Sequence, residues 1–328
     1  MFINYAMKWV HDLLKEEMKL VEEEFKKNLK SRVALISRVG EYMLLSGGKR
    51  IRPTILILSA KMSGYKGNRY ITLASIIEFI HTATLLHDDV VDNASLRRGN
   101  ASANSLWGSE ASVLIGDFLF CKSFSLLVSD SDLKILETIA SATTQMSEGE
   151  ILELIRTADT KISEEEYIQL ITSKTAVLMA AASKIGGILG EVSSDYIEAL
   201  EKFGLNLGIA FQLMDDCLDY TGDPKEFGKE IGIDLKEGKV TLPLIQTIKK
   251  CNKDEKKVIS DILLSEEIER EKFEEVKRLI YHYGGVEYTI KRAKDFIKTA
   301  KSYLTLFPSS NEKKALLDVA DYVIKRRL

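Results

Sequence analysis

Apolar residues recur at the three- and four-residue spacing of an α-helix along most of the chain. This spacing predicts helices over residues 6–30, 32–45, 54–62, 76–91, 111–128, 135–158 and 203–220, and helical periodicity continues over 241–328. Ser163, which precedes three glutamates, is typical of a helix start, and residues 93–107 are predicted to form a loop. Because the 328 residues include only 4 prolines and long runs of helix formers, the sequence favours an all-α protein.

The most apolar predicted helix ends in a group of carboxylates. Asp88 and Asp92 lie four residues apart and share one helix face with His81 and Thr84, whereas Asp89 projects elsewhere. Buried carboxylates are costly unless they are paired or bind metal. Two convergent carboxylates suit Mg²⁺, which proteins hold through one or two carboxylates together with substrate phosphates and waters. A solvated helix face is the alternative, and the apolar setting argues against it.

A second apolar helix repeats this acidic pattern. Asp215 and Asp219 share a face, Asp216 lies between them in sequence, and Gln212 precedes Asp215 by three residues on that face. Acidic helices in one bundle can face each other across a cavity, as metal sites in helical bundles do. The two motifs therefore predict one acidic, metal-binding centre.

Basic residues accompany both acidic helices. Arg97 and Arg98 follow the first one, and guanidinium groups bind phosphate oxygens well. Residues 47–53, GGKRIRP, place Lys49 and Arg52 at a helix start, where backbone N–H groups favour anions; an ordinary basic loop is the alternative. Lys174 enters an apolar helix beside Thr175, as either a snorkelling surface lysine or an anion ligand.

A glycine-punctuated segment follows the second acidic helix. Residues 227–243 contain Lys229, Asp234 and Lys239. Near an acidic metal centre this composition suggests a flap that closes over phosphate, and a charged solvated turn is the alternative.

Composition and charge exclude several classes of protein. The net charge of −3 is spread over the chain and gives no sign of a nucleic-acid surface. The three cysteines, at 121, 217 and 251, form no CxxC pair, so neither a disulfide framework nor a zinc site is predicted. The N-terminus lacks a signal-peptide pattern, and the apolar stretch over 71–91 carries charged residues that argue against a transmembrane segment. A cytoplasmic protein with one compact domain over residues 1–328 is expected.

Taken together, the motifs GGKRIRP, HDDVVD with RRG, FQLMDD with Asp219, and GK…D…EGK resemble those of the trans-type polyprenyl diphosphate synthases. Within that family, EFIHTATLLHDDVVD is most similar to long-chain, octaprenyl-type synthases, which supply quinone side chains. The resemblance implies a single all-α bundle or barrel of the isoprenoid synthase type with a deep central cavity, and a homodimer. It implies the head-to-tail condensation of isopentenyl diphosphate onto an allylic diphosphate, farnesyl or geranyl.

The resemblance also implies roles for individual residues. Three Mg²⁺ ions are expected, with Asp88, Asp92 and Asp215 as their ligands. Catalytic roles are expected for these aspartates and for Lys174 and Gln212. The allylic diphosphate is expected to contact Arg97, Lys174, Thr175, Gln212, Lys229 and Lys239. Isopentenyl diphosphate is expected to contact Lys49, Arg52, His81 and Arg98.

Product length can be argued from the residues one helical turn before Asp88. A turn rises roughly 5.4 Å, on the order of one isoprene unit. Ala83 and Thr84 are small, so a growing tail is expected to pass them, and the octaprenyl length itself is what the resemblance implies. A shorter-chain farnesyl or geranylgeranyl synthase and a non-catalytic subunit of a heteromeric synthase are the alternatives. Two complete aspartate motifs argue against the non-catalytic subunit, and the predicted isopentenyl diphosphate site argues against a terpene cyclase.

Overall fold

A computed structural model describes residues 3–221, 232–265 and 269–325, with side chains from Met7 onward. Within these residues the chain is helical apart from one short hairpin, which confirms the all-α prediction. The first helices and the hairpin are α1 (Ile3–Leu13), α2 (Lys15–Asn28), α3 (Ala34–Leu45), α4 (Ile51–Met62), α5 (Arg69–Val91), β1 (Leu96–Arg97), β2 (Asn100–Ala101) and α6 (Ala103–Trp107).

The remaining elements are α7 (Ser109–Asp130), α8 (Leu133–Ile155), α9 (Glu164–Ile171), a π-helical turn (Thr172–Ala176), α10 (Val177–Leu189), α11 (Ser194–Thr221), α12 (Ile233–Lys236), α13 (Leu242–Lys250), α14 (Lys253–Leu263), α15 (Arg270–His282), α16 (Gly285–Tyr303), a 3₁₀ turn (Leu304–Leu306) and α17 (Asn311–Lys325).

The described residues divide into two compact units whose sequences interleave. The first unit draws on Met1–Thr143, Leu178–Gly204 and Tyr303–Val319, and the second on Thr144–Val177, Leu205–Ser302 and Ala320–Leu328. The single-domain expectation stays a prediction.

In the first unit, α5 is the central helix. It packs against α2, α4 and α7, and residues from all around its axis are buried. Phe79 stacks on Phe25 of α2 with ring centroids 4.2 Å apart, and Ala83 lies fully buried in the same cluster. A helix surrounded by partners must be apolar on most sides, which explains the composition of α5.

Among the residues that the structure describes, two helices are long and apolar enough to cross a membrane by length and composition alone. In α5, 61% of the most apolar 18-residue stretch is buried among the protein's own residues, as in a core helix. In α7, 33% of the corresponding stretch is buried. Cys121 is exposed on α7, while Cys217 and Cys251 are buried.

Several local features differ from the sequence prediction. The helix predicted over 6–30 is divided at Leu14, whose φ of −109° departs from helical geometry. The loop predicted over 93–107 contains the β1–β2 hairpin and α6. Arg98 and Gly99 connect the two strands with φ of 51° and 78°, and two positive φ angles are the signature of a tight hairpin turn.

The helix start predicted at Ser163 is confirmed with both halves of a capping box. The Ser163 hydroxyl accepts from the Glu166 N–H, and the Glu166 carboxylate accepts from the Ser163 N–H. This cap fixes the beginning of α9 in the second unit. The π-helical turn, which carries Lys174 and Thr175, follows directly from α9.

Candidate active site

The first aspartate motif lies at the C-terminal end of α5, where its three carboxylates have different surroundings. Asp89 is fully buried, and its Oδ1 accepts hydrogen bonds from Arg97 Nε at 2.7 Å and Nη2 at 2.6 Å. This ion pair compensates the buried charge. Asp88 and Asp92 are half-buried one turn apart. Their oxygen ligands and spacing fit Mg²⁺, which needs only one or two carboxylates beside substrate phosphates.

The GGKRIRP turn is held in place by Arg50, to which the sequence assigned no role. Arg50 adopts a left-handed φ of 48° before α4. Its Nη1 lies 2.5 Å from Oε2 of the buried Glu78 on α5, and its Nη2 donates to the Leu44 carbonyl at 2.7 Å. The Arg98 guanidinium donates to the carbonyl of Gly47 in the same turn. Arg50 and Arg98 therefore tie the basic turn to α3, α5 and the hairpin.

His81 orients Arg52. Its Nε2 lies 3.2 Å from Arg52 Nη1, and arginine has no acceptor, so Nε2 accepts and the ring proton lies on Nδ1. Desolvation by burial, and then the charges of Arg52, Arg98, Arg97 and Arg50, lower the pKa of His81 well below its ordinary value. A neutral His81 can accept this hydrogen bond at physiological pH.

In the second unit, two lysines meet one carboxylate. Lys174 Nζ lies 2.8 Å from Glu150 Oε2 and 2.5 Å from Glu153 Oε2. Lys239 Nζ lies 2.7 Å from Glu237 Oε2 and 3.7 Å from the same oxygen of Glu153. Both lysine side chains are only 19% exposed, which excludes a solvated surface lysine at 174. Burial acts to raise the pKa of Glu153, but Lys174 and Lys239 hold it below its ordinary value.

The π-helical turn packs tightly between α8 and α11. A Cβ at Gly149 of α8 would lie 2.7 Å from the Lys174 backbone nitrogen, and a Cβ at Gly208 of α11 would lie 2.5 Å from the Ala176 Cα. Only glycine fits at such distances without a backbone shift. The backbone at Lys174 is therefore fixed from two sides.

The aspartates of the second motif also have distinct surroundings. Buried Asp216 accepts from the Tyr167 hydroxyl and, at 3.1 Å, from Gln212 Nε2. Asp219 accepts from the backbone N–H groups of Ile233 and Asp234, each at 3.1 Å, at the start of α12. Asp215 is half-buried, and its carboxylate has the oxygen chemistry that Mg²⁺ requires.

The pKa of the Asp216 carboxyl group is raised above its ordinary value. Burial, and further the negative charges of Asp215 and Asp219, raise its pKa to about 7, against the lowering effect of the Tyr167 and Gln212 hydrogen bonds. Burial and the nearby Asp216 charge raise the pKa of Tyr167 well above its ordinary value, so Tyr167 remains a hydrogen-bond donor.

The second unit contains a cavity of about 100 Å³. Of the residues predicted from the sequence, its lining includes Lys174, Thr175, Gln212 and Lys239. It also includes Glu153 and Tyr167, which the sequence did not single out, and Asp216, which belongs to the second aspartate motif but had no role assigned to it. The three-residue spacing of Glu150 and Glu153 on an apolar helix was an available signal for the lysine partners. Lys229 lies outside the described residues.

The first unit contains the predicted ligand residues Lys49, Arg52, His81, Asp88, Asp92, Arg97 and Arg98. Within it, Arg52 contacts His81, and Arg97 contacts Asp89. Among the residues that the structure describes, no three His, Cys, Asp or Glu side chains converge as a metal site. Metal binding by Asp88, Asp92 and Asp215 stays a prediction.

Comparisons with known proteins agree with the motifs. A family model for polyprenyl synthetase matches residues 33–280. The chain is 40% identical over 317 residues to octaprenyl diphosphate synthase of Escherichia coli, with 97% of this chain and 98% of that protein covered. It is 35% identical to a geranyl-diphosphate-specific all-trans-nonaprenyl-diphosphate synthase of Rhodobacter capsulatus, with 95% of each covered.

Among solved structures, polyprenyl synthase from Caulobacter crescentus, in complex with calcium and isoprenyl diphosphate, matches with a TM-score of 0.95. It is 39% identical, and the match covers 98% of each chain. The predicted isoprenoid synthase fold is confirmed by this similarity. With its two aspartate motifs and these relatives, the chain belongs to the polyprenyl synthetase family and is a prenyltransferase.

Proposed function

We propose that the chain is a Mg²⁺-dependent synthase that condenses isopentenyl diphosphate head-to-tail onto farnesyl or geranyl diphosphate and releases an all-trans polyprenyl diphosphate of octaprenyl length. One observation carries the proposal. In each motif the fully buried aspartate is bound by another side chain, Asp89 by Arg97 and Asp216 by Tyr167, whereas Asp88, Asp92 and Asp215 are half-buried carboxylates of the kind that Mg²⁺ binds.

The substrates divide between the two groups of basic residues. Lys174 and Lys239, with Thr175 and Gln212 beside them, bind the allylic diphosphate. Lys49, Arg52 and Arg98 bind isopentenyl diphosphate, and neutral His81 orients Arg52 for that contact. Arg97 supports the first motif through Asp89 and is proposed to reach the allylic diphosphate as well.

The reaction follows from this arrangement. When bound, Mg²⁺ neutralises the charge of the diphosphate leaving group. The allylic C–O bond breaks, and the bonding electrons leave with diphosphate. The double bond of isopentenyl diphosphate attacks the allylic cation, and a proton is then lost, for which departed diphosphate is the proposed acceptor. The side chains position both substrates, and preorganised lysines and arginines stabilise the developing charge.

The proposed octaprenyl length and a role in quinone side-chain synthesis rest on two features. Ala83 and Thr84 place little bulk one turn before Asp88, and an octaprenyl synthase is among the most similar relatives. The nonaprenyl-forming relative shows that similar sequences serve different lengths, so the product must be measured.

A homodimer in the cytoplasm completes the proposal. Its structural support is an apolar surface on α7, where Leu114 is 67% exposed, Val128 64% and Val113 38%. Such residues on one helix suit burial against a second copy. Sedimentation of the purified protein at micromolar concentration tests this, and a monomer at all concentrations would refute it.

The function is tested by incubating the protein with Mg²⁺, farnesyl diphosphate and labelled isopentenyl diphosphate. Chromatography after dephosphorylation then gives product length. A ladder ending at octaprenyl supports the proposal, and an end at farnesyl or geranylgeranyl favours the shorter-chain alternative. Absence of elongation, with no effect of EDTA, would indicate the non-catalytic subunit.

A further inference from the structure

Tyr167 belongs to α9, a helix that carries no proposed ligand. Hydrogen bonds link it through Asp216 to Gln212, which is proposed to bind the allylic diphosphate. The Tyr167 side chain is almost fully buried, and its hydroxyl donates to Oδ2 of Asp216 on α11. A buried tyrosine hydroxyl needs a polar partner, and here that partner is a carboxylate of the second aspartate motif.

The hydrogen bonds continue from Asp216 to the proposed substrate ligands. Gln212 Nε2 donates to Asp216 Oδ1 at 3.1 Å, and Gln212 Oε1 accepts from Thr175 Oγ1 at 3.1 Å. Asp216 Oδ1 accepts from the carboxamide nitrogen, so Asp216 fixes which end of the carboxamide faces it. The Gln212 amide is thereby held at both ends, in the same cavity as Lys174 and Lys239.

We propose that Tyr167 is a positioning residue for the allylic diphosphate: by occupying Oδ2 of Asp216, it limits Asp216 to one hydrogen of the Gln212 amide. The second amide hydrogen then serves a phosphate oxygen. This inference rests on the proposed function, because it assigns Gln212 to that diphosphate.

The physical reason lies in the cost of an unsatisfied acceptor. Without the tyrosine hydroxyl, Asp216 Oδ2 would be buried with no donor, which is unfavourable. The carboxylate reduces this cost by turning toward the Gln212 amide, which already donates to its Oδ1. Gln212 is then drawn away from the substrate.

Tyr167→Phe removes only the hydroxyl and tests this directly. Binding of inorganic pyrophosphate with Mg²⁺, measured by calorimetry, is expected to weaken about tenfold, as the KM for the allylic diphosphate rises to a similar extent. The KM for isopentenyl diphosphate and the midpoint of thermal unfolding should change little. Tyr288→Phe is the matched control, because the Tyr288 hydroxyl donates to Glu164 Oε2 at 2.6 Å, away from this cavity.

A double-mutant cycle separates positioning from general destabilisation. If Tyr167 acts through Gln212, then Tyr167→Phe combined with Gln212→Ala binds pyrophosphate no more weakly than Gln212→Ala alone. Additive losses, or a Tyr167→Phe protein that binds as the wild type does, would overturn the inference. Asp216→Asn, with the same expected loss, replaces Tyr167→Phe if that variant does not fold.

Failure of the proposed function gives a different result. In that case the wild-type protein neither binds pyrophosphate with Mg²⁺ nor elongates farnesyl diphosphate, and both the function and this inference fall. A wild-type protein that does both, beside an unaltered Tyr167→Phe variant, overturns the inference alone.

Discussion

Lys174 and Glu153 form an ion pair in the cavity of the second unit, with 2.5 Å between Nζ and Oε2, and Lys239 approaches the same oxygen at 3.7 Å. Before substrate arrives, a protein carboxylate thus stands between the two ammonium groups proposed to bind diphosphate. The consequence is competition between Glu153 and the phosphate oxygens.

Glu153→Gln should therefore strengthen pyrophosphate binding. Loss of one negative charge beside both lysines is expected to improve affinity by about 1 kcal/mol, or roughly fivefold. Calorimetric titration with Mg²⁺ present measures this. Glu148→Gln, an exposed change on the same helix, should leave binding unaltered. Weaker binding by Glu153→Gln would mean that Glu153 organises the lysines instead of competing for them.

Arg97→Ala should destabilise the fold. The change leaves Asp89 fully buried without its counter-ion, and breaking a buried ion pair from one side costs about 3–5 kcal/mol. Urea unfolding followed by circular dichroism gives the difference. Arg98→Ala, at the exposed neighbouring position, should cost far less stability while raising the KM for isopentenyl diphosphate. Equal stability of the two variants would contradict this prediction.

His81 should make stability depend on pH. Its pKa is lowered in the folded protein, so below about pH 6.5 the unfolded chain binds a proton that the folded one does not. Stability is therefore lost as the pH falls from about 6.5 toward the folded pKa, with a slope of at most about 1.4 kcal/mol per pH unit. The free energies of unfolding of the wild type and of His81→Asn, measured from pH 5 to 8, give this pH dependence. Parallel curves of unfolding free energy against pH for the two proteins would refute the prediction.

Thr84→Phe should shorten the product while the first condensation continues. Thr84 is half-buried and its hydroxyl donates to the His81 carbonyl at 2.9 Å, so an aromatic ring here can obstruct a growing tail. Product chromatography gives the length, and Leu20→Phe, at an exposed position of α2, is the control. A product of unchanged length would contradict the expectation that the growing tail passes Thr84.

Ala83→Phe is expected to behave differently from Thr84→Phe. Ala83 is fully buried against Phe79 and Leu86, so the larger ring overpacks this core and costs about 1–3 kcal/mol in addition to shortening the product. Thermal unfolding beside product analysis separates the two effects. A stable variant with the wild-type product would contradict both expectations.

Features written in local sequence were predicted correctly. The cap at Ser163 depends on residues three apart, and the buried aspartate helices depend on apolar periodicity, so short-range patterns suffice for both. The β1–β2 hairpin was not predicted, because strands of two residues have no periodicity to detect.

Features that depend on tertiary approach were not predictable. The Tyr167–Asp216 hydrogen bond joins residues 49 positions apart, and Lys174 finds Glu153 across 21 positions. The π-helical turn around Lys174 has no sequence signature of its own, and its tight packing against Gly149 emerges only from the fold.

Each compact unit is assembled from three separate stretches of the chain. No single truncation point can isolate either unit, because the stretches of the two units alternate along the chain. Grafting the Lys174 cavity onto a relative would require exchanging at least two separate segments at once, and a split-protein reporter opened between Thr144 and Val319 would divide both units. For engineering, the two units are therefore best exchanged together.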